Sequence, residues 1–259
     1  MYARRCWLGE RGRAFDTLAS RLALERLDGQ KRNGGFPTLA ETMERLWDIR
    51  LLDRLSLPGA RRAVDFLLER HSPPTRRRGP GGTNYDFLFL RVSLTEKDGL
   101  YSLSGVPFCP TTPGLLKTAA ALRFAGEAGQ ADRREVQQAF ATLDALLMNS
   151  RWGTVVSVTD LLIAYAAHPE RMSGAAVKAG LKRLADSQGA DGRFGTAAPF
   201  LQTLWAVSAF PSREARRVVA RGLPALMRAQ HKDGSWGRKR PDFNTLLAVE
   251  ILKRAGALP

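Results

Sequence analysis

The feature that most restricts how this chain can fold is an eight-residue segment that occurs twice. QGADGRFG spans residues 188–195 and QHKDGSWG spans 230–237, so the glutamines that open the two copies, Gln188 and Gln230, are 42 residues apart. The match continues without a gap on both sides, through glycine and leucine positions before the segment and threonine, leucine, alanine and valine positions after it. Repetition at a fixed period of this length indicates an array of helical units.

Copies of the unit become less regular toward the N-terminus. RWGT at 151–154 aligns with RFGT at 193–196 at the same offset of 42 residues. Further upstream, QKRNGGFPT at 30–38 and EKDGLYSLSG at 96–105 keep the character of the turn but lose the spacing. We therefore expect roughly five or six units, interrupted by an irregular Pro/Gly/Arg-rich insertion near 71–84.

Each unit is predicted to be a helix, a turn and a second helix. Val177, Leu181 and Leu184 fall on one face at helical spacing, which predicts an amphipathic outer helix. The second helix, TLWAVSAF or TLLAVEIL, is apolar on most sides, as expected of an inner helix. In the turn, Asp-Gly provides a tight bend and the following Phe194 or Trp236 can bury its ring against the next unit. The glutamine can bond backbone groups left open at helix ends, so the repeat is a stacking device.

Helix pairs of this kind can stack into an open solenoid or close into a ring. An open HEAT-type array also has a period of about 40 to 47 residues. The glutamine together with the DGxWG turn favours the ring, in which the inner helices line a central cavity. We therefore predict an all-α fold, an α/α toroid, as a single domain over residues 1–259.

QHKDGSWG and QGADGRFG resemble the QW repeats of squalene cyclases and other class II terpene cyclases, which the β subunits of protein prenyltransferases share in looser form. The resemblance is most specific over about 173–257 and extends less specifically over 96–170. It implies an α/α toroid with an aromatic-lined cavity of isoprenoid size. A fold by itself does not confer activity, so the motifs must be compared residue by residue.

The acidic motifs of the cyclases are incomplete. Class II cyclases protonate their substrate with the central acid of a DxDD motif, and the most similar place here reads SVTD at 157–160. Thr159 stands at the position of the proton donor and Asp160 at the last position, and a threonine cannot supply a strong acid. The DDxxD motif of class I cyclases does not occur in the sequence.

The zinc ligands of the protein prenyltransferases are also incomplete. KDGLYSLSG resembles their DGCYSFW-like stretch at Asp98 and Tyr101, but Leu100 replaces the ligating cysteine. The later histidine corresponds to Asp160, and zinc in such sites prefers thiolate and imidazole ligands. We predict no metal and no cofactor; Cys109 is better explained as a small buried side chain and His168 as a helix-end residue.

Candidate site residues follow from the resemblance. Asp98 and Asp160 are the candidate catalytic acids, although turn formation and helix capping explain the same two residues. The candidate substrate-binding residues are aromatic, with core packing as the alternative for each; they are Tyr101, Trp152, Tyr165 and Trp205.

The net charge of +15 makes phosphates and anionic membrane surfaces candidate partners. The basic residues are scattered apart from TRRRG at 75–79, and no arginine stripe follows the repeat, which argues against nucleic acid. Two cysteines without CxxC spacing suit a reducing compartment. Because no apolar run reaches membrane-spanning length and the start lacks a secretory pattern, we expect a cytoplasmic protein.

Two functions follow from these observations. The first is a terpene cyclase or prenyltransferase-like protein whose apolar cavity takes an isoprenoid diphosphate or another apolar small molecule by a non-standard route. The alternative is a noncatalytic toroid scaffold that binds a protein partner, which the missing acids and zinc ligands favour. An open apolar cavity would support the first function, and side chains filling the ring would favour the second. GxSxG, GxxxxGK and HExxH motifs do not occur, so hydrolase, NTPase and zincin functions have no support.

Overall fold

The computed structural model describes residues 12–69, 76–78, 84–86, 105–108, 113–149, 153–195 and 199–258. Within these ranges the chain forms ten α-helices and two short strands. In chain order they are α1 (Arg13–Leu27), α2 (Leu39–Leu51), α3 (Pro58–Glu69), β1 (Arg76–Arg78), β2 (Asn84–Asp86), α4 (Pro113–Glu127), α5 (Arg134–Met148), α6 (Val155–Tyr165), α7 (Ala175–Ser187), α8 (Phe200–Ser208), α9 (Arg213–Arg228) and α10 (Pro241–Arg254).

The helices form an inner and an outer layer. Helices α4, α6, α8 and α10 pack side by side in succession as the inner layer, while α5, α7 and α9 pack in succession outside them. Burial follows the same division: the second half of α6 is buried on all sides, whereas α9 buries one face and exposes the other. The predicted assignment of amphipathic segments to the outside and apolar segments to the inside is confirmed.

The N-terminal helices belong to the same ring. Helix α2 packs against α1 and α3, and α3 packs against α4. Across the ring, Trp47 of α2 meets Trp205 of α8 edge to face, with ring centroids 5.8 Å apart. Arg50 of α2 pairs with Glu127 of α4, with 2.7 Å between Nε and Oε2. These contacts connect α2 with α8 and α4 across the ring, and the all-α toroid predicted from the repeat is confirmed.

Three of the turns share one backbone geometry. The glycine four residues after the glutamine is left-handed in each, with φ of +85° at Gly34, +83° at Gly192 and +82° at Gly234. Two residues later each turn buries an aromatic ring; these rings are Phe36, Phe194 and Trp236. The degenerate segment 30–38 therefore folds in the same way as the two regular copies, because the glycine and the ring carry the geometry.

The glutamine of the repeat joins neighbouring hairpins. The Gln188 amide donates to the carbonyl of Gly192 in its own turn (2.8 Å) and to that of Val218 in α9 (3.0 Å). The Gln30 amide donates equivalently to Gly34 (2.7 Å) and to Gly59 in α3 (2.8 Å). We call this pair of hydrogen bonds the glutamine clamp; at Gln30 and Gln188 it ties the turn to a helix of the next hairpin.

The predicted irregular insertion near 71–84 contains described backbone at two places. Strand β1 pairs with β2 in antiparallel register, Arg76 opposite Asp86 and Arg78 opposite Asn84. The other β-structure in the described residues is an isolated bridge between Gln230 and Trp236. No helix in the described ranges combines the length and apolarity needed to cross a bilayer.

Candidate functional site

The last turns of the inner helices meet at one end of the ring. A guanidinium nitrogen of Arg123, in the last turns of α4, donates to the carbonyl of Ile163 in the last turn of α6 (3.0 Å). Arg254, the last residue of α10, donates to the carbonyl of Trp205 near the end of α8 (3.3 Å). Together with the Arg50–Glu127 pair, these bonds connect helix end to helix end. We call this end of the ring the carboxyl mouth.

Five charged side chains converge at the carboxyl mouth, and we call them the mouth cluster. Glu127 accepts hydrogen bonds from Arg50 (2.7 Å) and is also paired with Arg123. Glu250 accepts from Arg254 (3.0 Å). Each carboxylate is thus held by a guanidinium, and three cations face two anions in a region that is mostly shielded from water.

The position of the arginines matches the electrostatics of helix ends. Unbonded carbonyls give the carboxyl end of a helix a partial negative charge, which cations stabilise. Arg123 and Arg254 place their guanidinium groups on carbonyls of the neighbouring inner helices α6 and α8. Glu127 is the last residue of α4, where the helix dipole disfavours an anion, so its charge depends on the arginines beside it.

The pKa values at the mouth cluster show which groups carry charge. Burial raises the pKa of Glu127, but the attraction of Arg123 and Arg50 and their hydrogen bonds outweigh it, so the pKa lies below its ordinary value. Burial lowers the pKa of Arg123 to about 10, and Arg123 therefore remains protonated at neutral pH. Glu127 is ionised under the same conditions and cannot act as a general acid. The cluster is suited to binding anions rather than to donating protons.

Aromatic side chains fill the middle of the ring beside this cluster. Trp47, which meets Trp205, also packs edge-on against Phe108 with centroids 6.4 Å apart, and Phe108 packs likewise against Phe124 at 6.4 Å. The Trp205 indole donates to Glu250 at 2.5 Å. All four rings are buried. At this level the described residues close the space that the sequence analysis expected to be an open central cavity.

A groove opens at the carboxyl mouth instead, with a volume of about 600 Å³. We call it the mouth groove. Its polar side is formed by Arg123, Arg216 and Arg254, and its apolar wall includes Phe210 and Leu223. A second hollow of about 430 Å³ lies on the other side of Arg254, where acidic side chains of the mouth cluster face it. The groove is therefore basic at one side and apolar along its wall.

Three of the six residues predicted from sequence as a site are described by the structure. Asp98, Tyr101 and Trp152 lie outside the described residues. Asp160 is fully buried midway along α6. Its neighbour Thr159 donates to the carbonyl of Val155 (2.8 Å) and bonds the Thr203 hydroxyl (3.1 Å), linking α6 to α8.

Tyr165 and Trp205, the predicted substrate-binding aromatics that the structure describes, face different neighbours. Although Tyr165 ends α6, its hydroxyl is directed to α5, where it donates to Asp144 (2.7 Å). Burial and this bond raise the pKa of Tyr165. Trp205 lies in the ring interior, beside the mouth cluster. A role of Asp160, Tyr165 or Trp205 in binding or catalysis stays a prediction.

The mouth cluster was not predicted from the sequence. Its signal was present: Arg123 interrupts the apolar run LLKTAAALRFAG and Glu250 interrupts TLLAVEIL. A charged residue inside an inner helix is expected to have a partner, because an unpaired buried charge is costly. Arg123 pairs with Glu127 and Glu250 pairs with Arg254, in each case four residues further along the same helix. Arg50 joins Glu127 from another helix, 77 residues away in sequence.

His168 is buried just beyond α6 and packs edge-on against Phe140, with centroids 4.9 Å apart. Its Nε2 lies 3.2 Å from the Gln137 amide nitrogen and therefore accepts a hydrogen bond in the neutral ring. Burial and the nearby Arg171 lower the pKa of His168. Among the described residues no group of three or more His, Cys, Asp or Glu side chains is arranged to hold a metal ion.

We expect the free energy of unfolding to fall as the pH is lowered through 6.5, the ordinary pKa of histidine. In that range the unfolded chain binds a proton that the folded His168 resists, so acid favours unfolding. Urea unfolding at pH 7.5 and 5.5 would measure this loss. His168→Gln should reduce the loss, whereas His231→Gln, at an exposed turn position, should not. Equal acid sensitivity of wild type and His168→Gln would contradict the assignment.

Solved structures of other proteins share the fold of this chain. No protein-family model matches the chain, and no curated protein matches it either. A crystal structure of a protein from Actinoplanes is 19% identical, with a TM-score of 0.60, over 98% of this chain and 88% of that chain. Two single-residue variants of the type II terpene cyclase MstE from Scytonema are 13% and 12% identical, with TM-scores of 0.55 and 0.56.

Each MstE match covers 99% of this chain and 86% of that chain. One of the MstE structures is in complex with geranylgeranyl dihydroxybenzoate, described as substrate, and the other with merosterolic acid A, described as product. At these identities the similarity establishes a shared architecture. The chain has the fold of a type II terpene cyclase.

Proposed function

We propose that the protein is a terpene cyclase-like isoprenoid-binding protein, and that the mouth groove takes an isoprenoid chain with an anionic head group. The observation that carries the proposal is the groove itself, in which three arginines stand against an apolar wall. Its volume of about 600 Å³ falls within the range of sites for small organic ligands.

The two sides of the groove suit the two parts of such a ligand. Guanidinium groups bind phosphate and carboxylate oxygens with pairs of charge-assisted hydrogen bonds, and Arg216 is exposed enough to do so. Phe210, Val219 and Leu223 offer the apolar wall that a prenyl chain requires. The ligands named for the MstE structures support the same class, because one of them joins a geranylgeranyl chain to a benzoate.

The charges at the mouth favour binding over proton-initiated cyclisation. Glu127 is ionised, and Thr159 stands where the cyclase motif has its acid. Asp98 and Asp160 remain the proposed acids if the bound chain reacts, with Asp160 buried in α6 away from the groove lining. An isoprenoid diphosphate or an isoprenoid acid would satisfy the arginines equally well, so both belong to the proposal.

A substitution that fills the groove tests the proposal. Ala220 is an exposed residue of α9 in the groove lining, so Ala220→Phe should occupy the apolar wall without disturbing the core. We expect it to weaken binding of farnesyl diphosphate and geranylgeranyl diphosphate at least tenfold, measured by isothermal titration calorimetry. Ala141→Phe, at an exposed position of α5, is the matched control and should bind as wild type does. Equal binding by both variants would reject this groove as the site.

The alternative is a noncatalytic toroid scaffold that binds a protein partner. The filled interior around Trp47 and Trp205 favours it, because a ring packed with side chains can serve as a rigid support. Under this alternative, native mass spectrometry of protein made in an isoprenoid-producing host shows the bare chain, and Ala220→Phe changes nothing. A retained isoprenoid that Ala220→Phe removes supports the first function.

A further inference from the structure

Helix α9 exposes a row of arginines along the outside of the ring. Arg217, Arg221 and Arg228 follow one another on one face at intervals of four and seven residues, and Arg213 stands at the start of the same face. All four are exposed. We call them the arginine row. Glu214 is the single acidic residue within α9, so the helix surface is strongly basic.

The arginines of the arginine row differ from the buried arginines in their ion pairing. Arg213, Arg217 and Arg228 form no ion pair with any residue in the part of the chain that the structure describes, and Arg221 donates only to the carbonyls of Gln188 and Gly189. Exposed Lys178 of the adjacent helix α7 extends the positive surface, whereas Lys182 of the same helix is paired with Asp186. An uncompensated positive surface of this kind attracts an extended anionic partner.

Apolar side chains run beside the arginine row. Ala220, Pro224 and Met227 are exposed at intervals of four and three residues, which places them on one face, and Met227 has 53% of its surface exposed. This apolar row continues inward to Val219 and Leu223, which line the mouth groove. The outer surface of α9 therefore presents cations on one side and an exposed apolar edge on the other.

We propose that α9 docks this protein on an anionic lipid surface. A bilayer interface can take both rows at once, because its head groups attract the arginines and its acyl boundary accepts Met227 and its apolar neighbours. A nucleic acid would bind the arginines but offers no comparable partner for the apolar row. The docking is peripheral, lying along the surface, and it does not depend on which ligand the mouth groove takes.

Docking through α9 would place the mouth groove next to the lipid surface. Ala220 and Leu223 belong both to α9 and to the groove lining, so a docked α9 brings the mouth groove beside the lipid surface. An apolar chain dissolved in the bilayer could then reach the groove without crossing water. This consequence rests on the proposed function, whereas the docking itself does not.

Vesicle co-sedimentation tests the docking. Wild-type protein should bind vesicles of 70% phosphatidylcholine and 30% phosphatidylserine more tightly than pure phosphatidylcholine vesicles, and less tightly as salt is raised, because salt screens exposed charges. Each cation near an anionic surface contributes about fivefold to binding, so Arg213→Glu/Arg217→Glu/Arg228→Glu should weaken it by about 100-fold or more. The matched control is Lys31→Glu/Arg32→Glu/Arg61→Glu, which makes the same charge change at exposed positions of the first hairpins.

A neutral substitution separates lipid from nucleic acid. Met227→Gln keeps the charge but removes the apolar contact, so it should weaken vesicle binding by about fivefold and leave binding of a single-stranded RNA oligonucleotide unchanged. Circular dichroism would show that all variants remain folded. The docking proposal is wrong if the two triple variants lose vesicle binding equally. It is also wrong if Met227→Gln has no effect while the wild type binds the oligonucleotide more tightly than the vesicles.

Discussion

Trp205→Ala should lower the free energy of unfolding by about 4 kcal/mol, the usual loss when a large buried ring is removed from a packed core. The indole contacts Trp47 edge to face at 5.8 Å and donates to Glu250, so its removal leaves both a cavity and a buried carboxylate without that donor. The guanidinium of Arg254 also lies 5.4 Å from the centre of the ring. Urea unfolding followed by circular dichroism at 222 nm would measure the change.

Trp205→Phe separates the two contributions. Phenylalanine keeps most of the packing but removes the N–H donor, so we expect a smaller loss of about 2 kcal/mol. If Trp205→Ala lost less than about 1 kcal/mol, far below the range for a packed ring, the middle of the toroid could not be filled by Trp205 and Trp47. Such a result would favour the prediction that Trp205 lines a substrate cavity.

Gly192→Ala should cost about 3 kcal/mol or more, because it combines backbone strain with a steric clash. Gly192 has a φ of +83°, and a Cβ built on it would lie 2.2 Å from the carbonyl oxygen of Arg221 in α9. That oxygen belongs to helix backbone, so relieving the contact would require the turn to move away from the next hairpin. The same urea titration would report the loss.

Gly195 provides a matched control in the same turn. Its φ is +74°, but a Cβ there would meet no described atom within 4 Å. Gly195→Ala should therefore show the backbone strain alone, a loss of about 1 kcal/mol. The difference between the two variants measures how closely the turn approaches α9. Equal losses would show that this approach does not restrict the residue at 192.

The ring and its turns could be predicted from sequence because their causes are local. The left-handed glycine and the buried ring lie within a few residues of the glutamine, so the same geometry recurs wherever those three residues recur. This is why the segment 30–38, which keeps Gln30, Gly34 and Phe36, folds as the regular copies do even though its spacing departs from 42 residues.

The mouth could not be predicted in the same way, because the contacts that join its helices are distant in sequence. Glu127 is held charged by Arg123, four residues earlier in the same helix, and also by Arg50, which approaches from another helix. No local pattern brings Arg50 to Glu127. Tyr165 illustrates a second reason. Helix α6 is buried all round at its carboxyl end, so its sequence does not reveal whether a ring points to the interior or, as observed, to Asp144 on α5. The filled interior follows from the same long-range packing.

The glutamine clamps affect how the molecule unfolds. The Gln188 amide donates both to its own turn and to Val218 of the next hairpin. Opening one hairpin therefore breaks hydrogen bonds of its neighbour as well as its own. In a linear array such loss is confined to an end, where units can fray one after another. In this ring Trp47 contacts Trp205 and Arg50 pairs with Glu127, so helix α2 contacts hairpins that are not its neighbours in sequence. They should therefore come apart cooperatively, with amide protons of inner and outer helices exchanging at a common, slow rate.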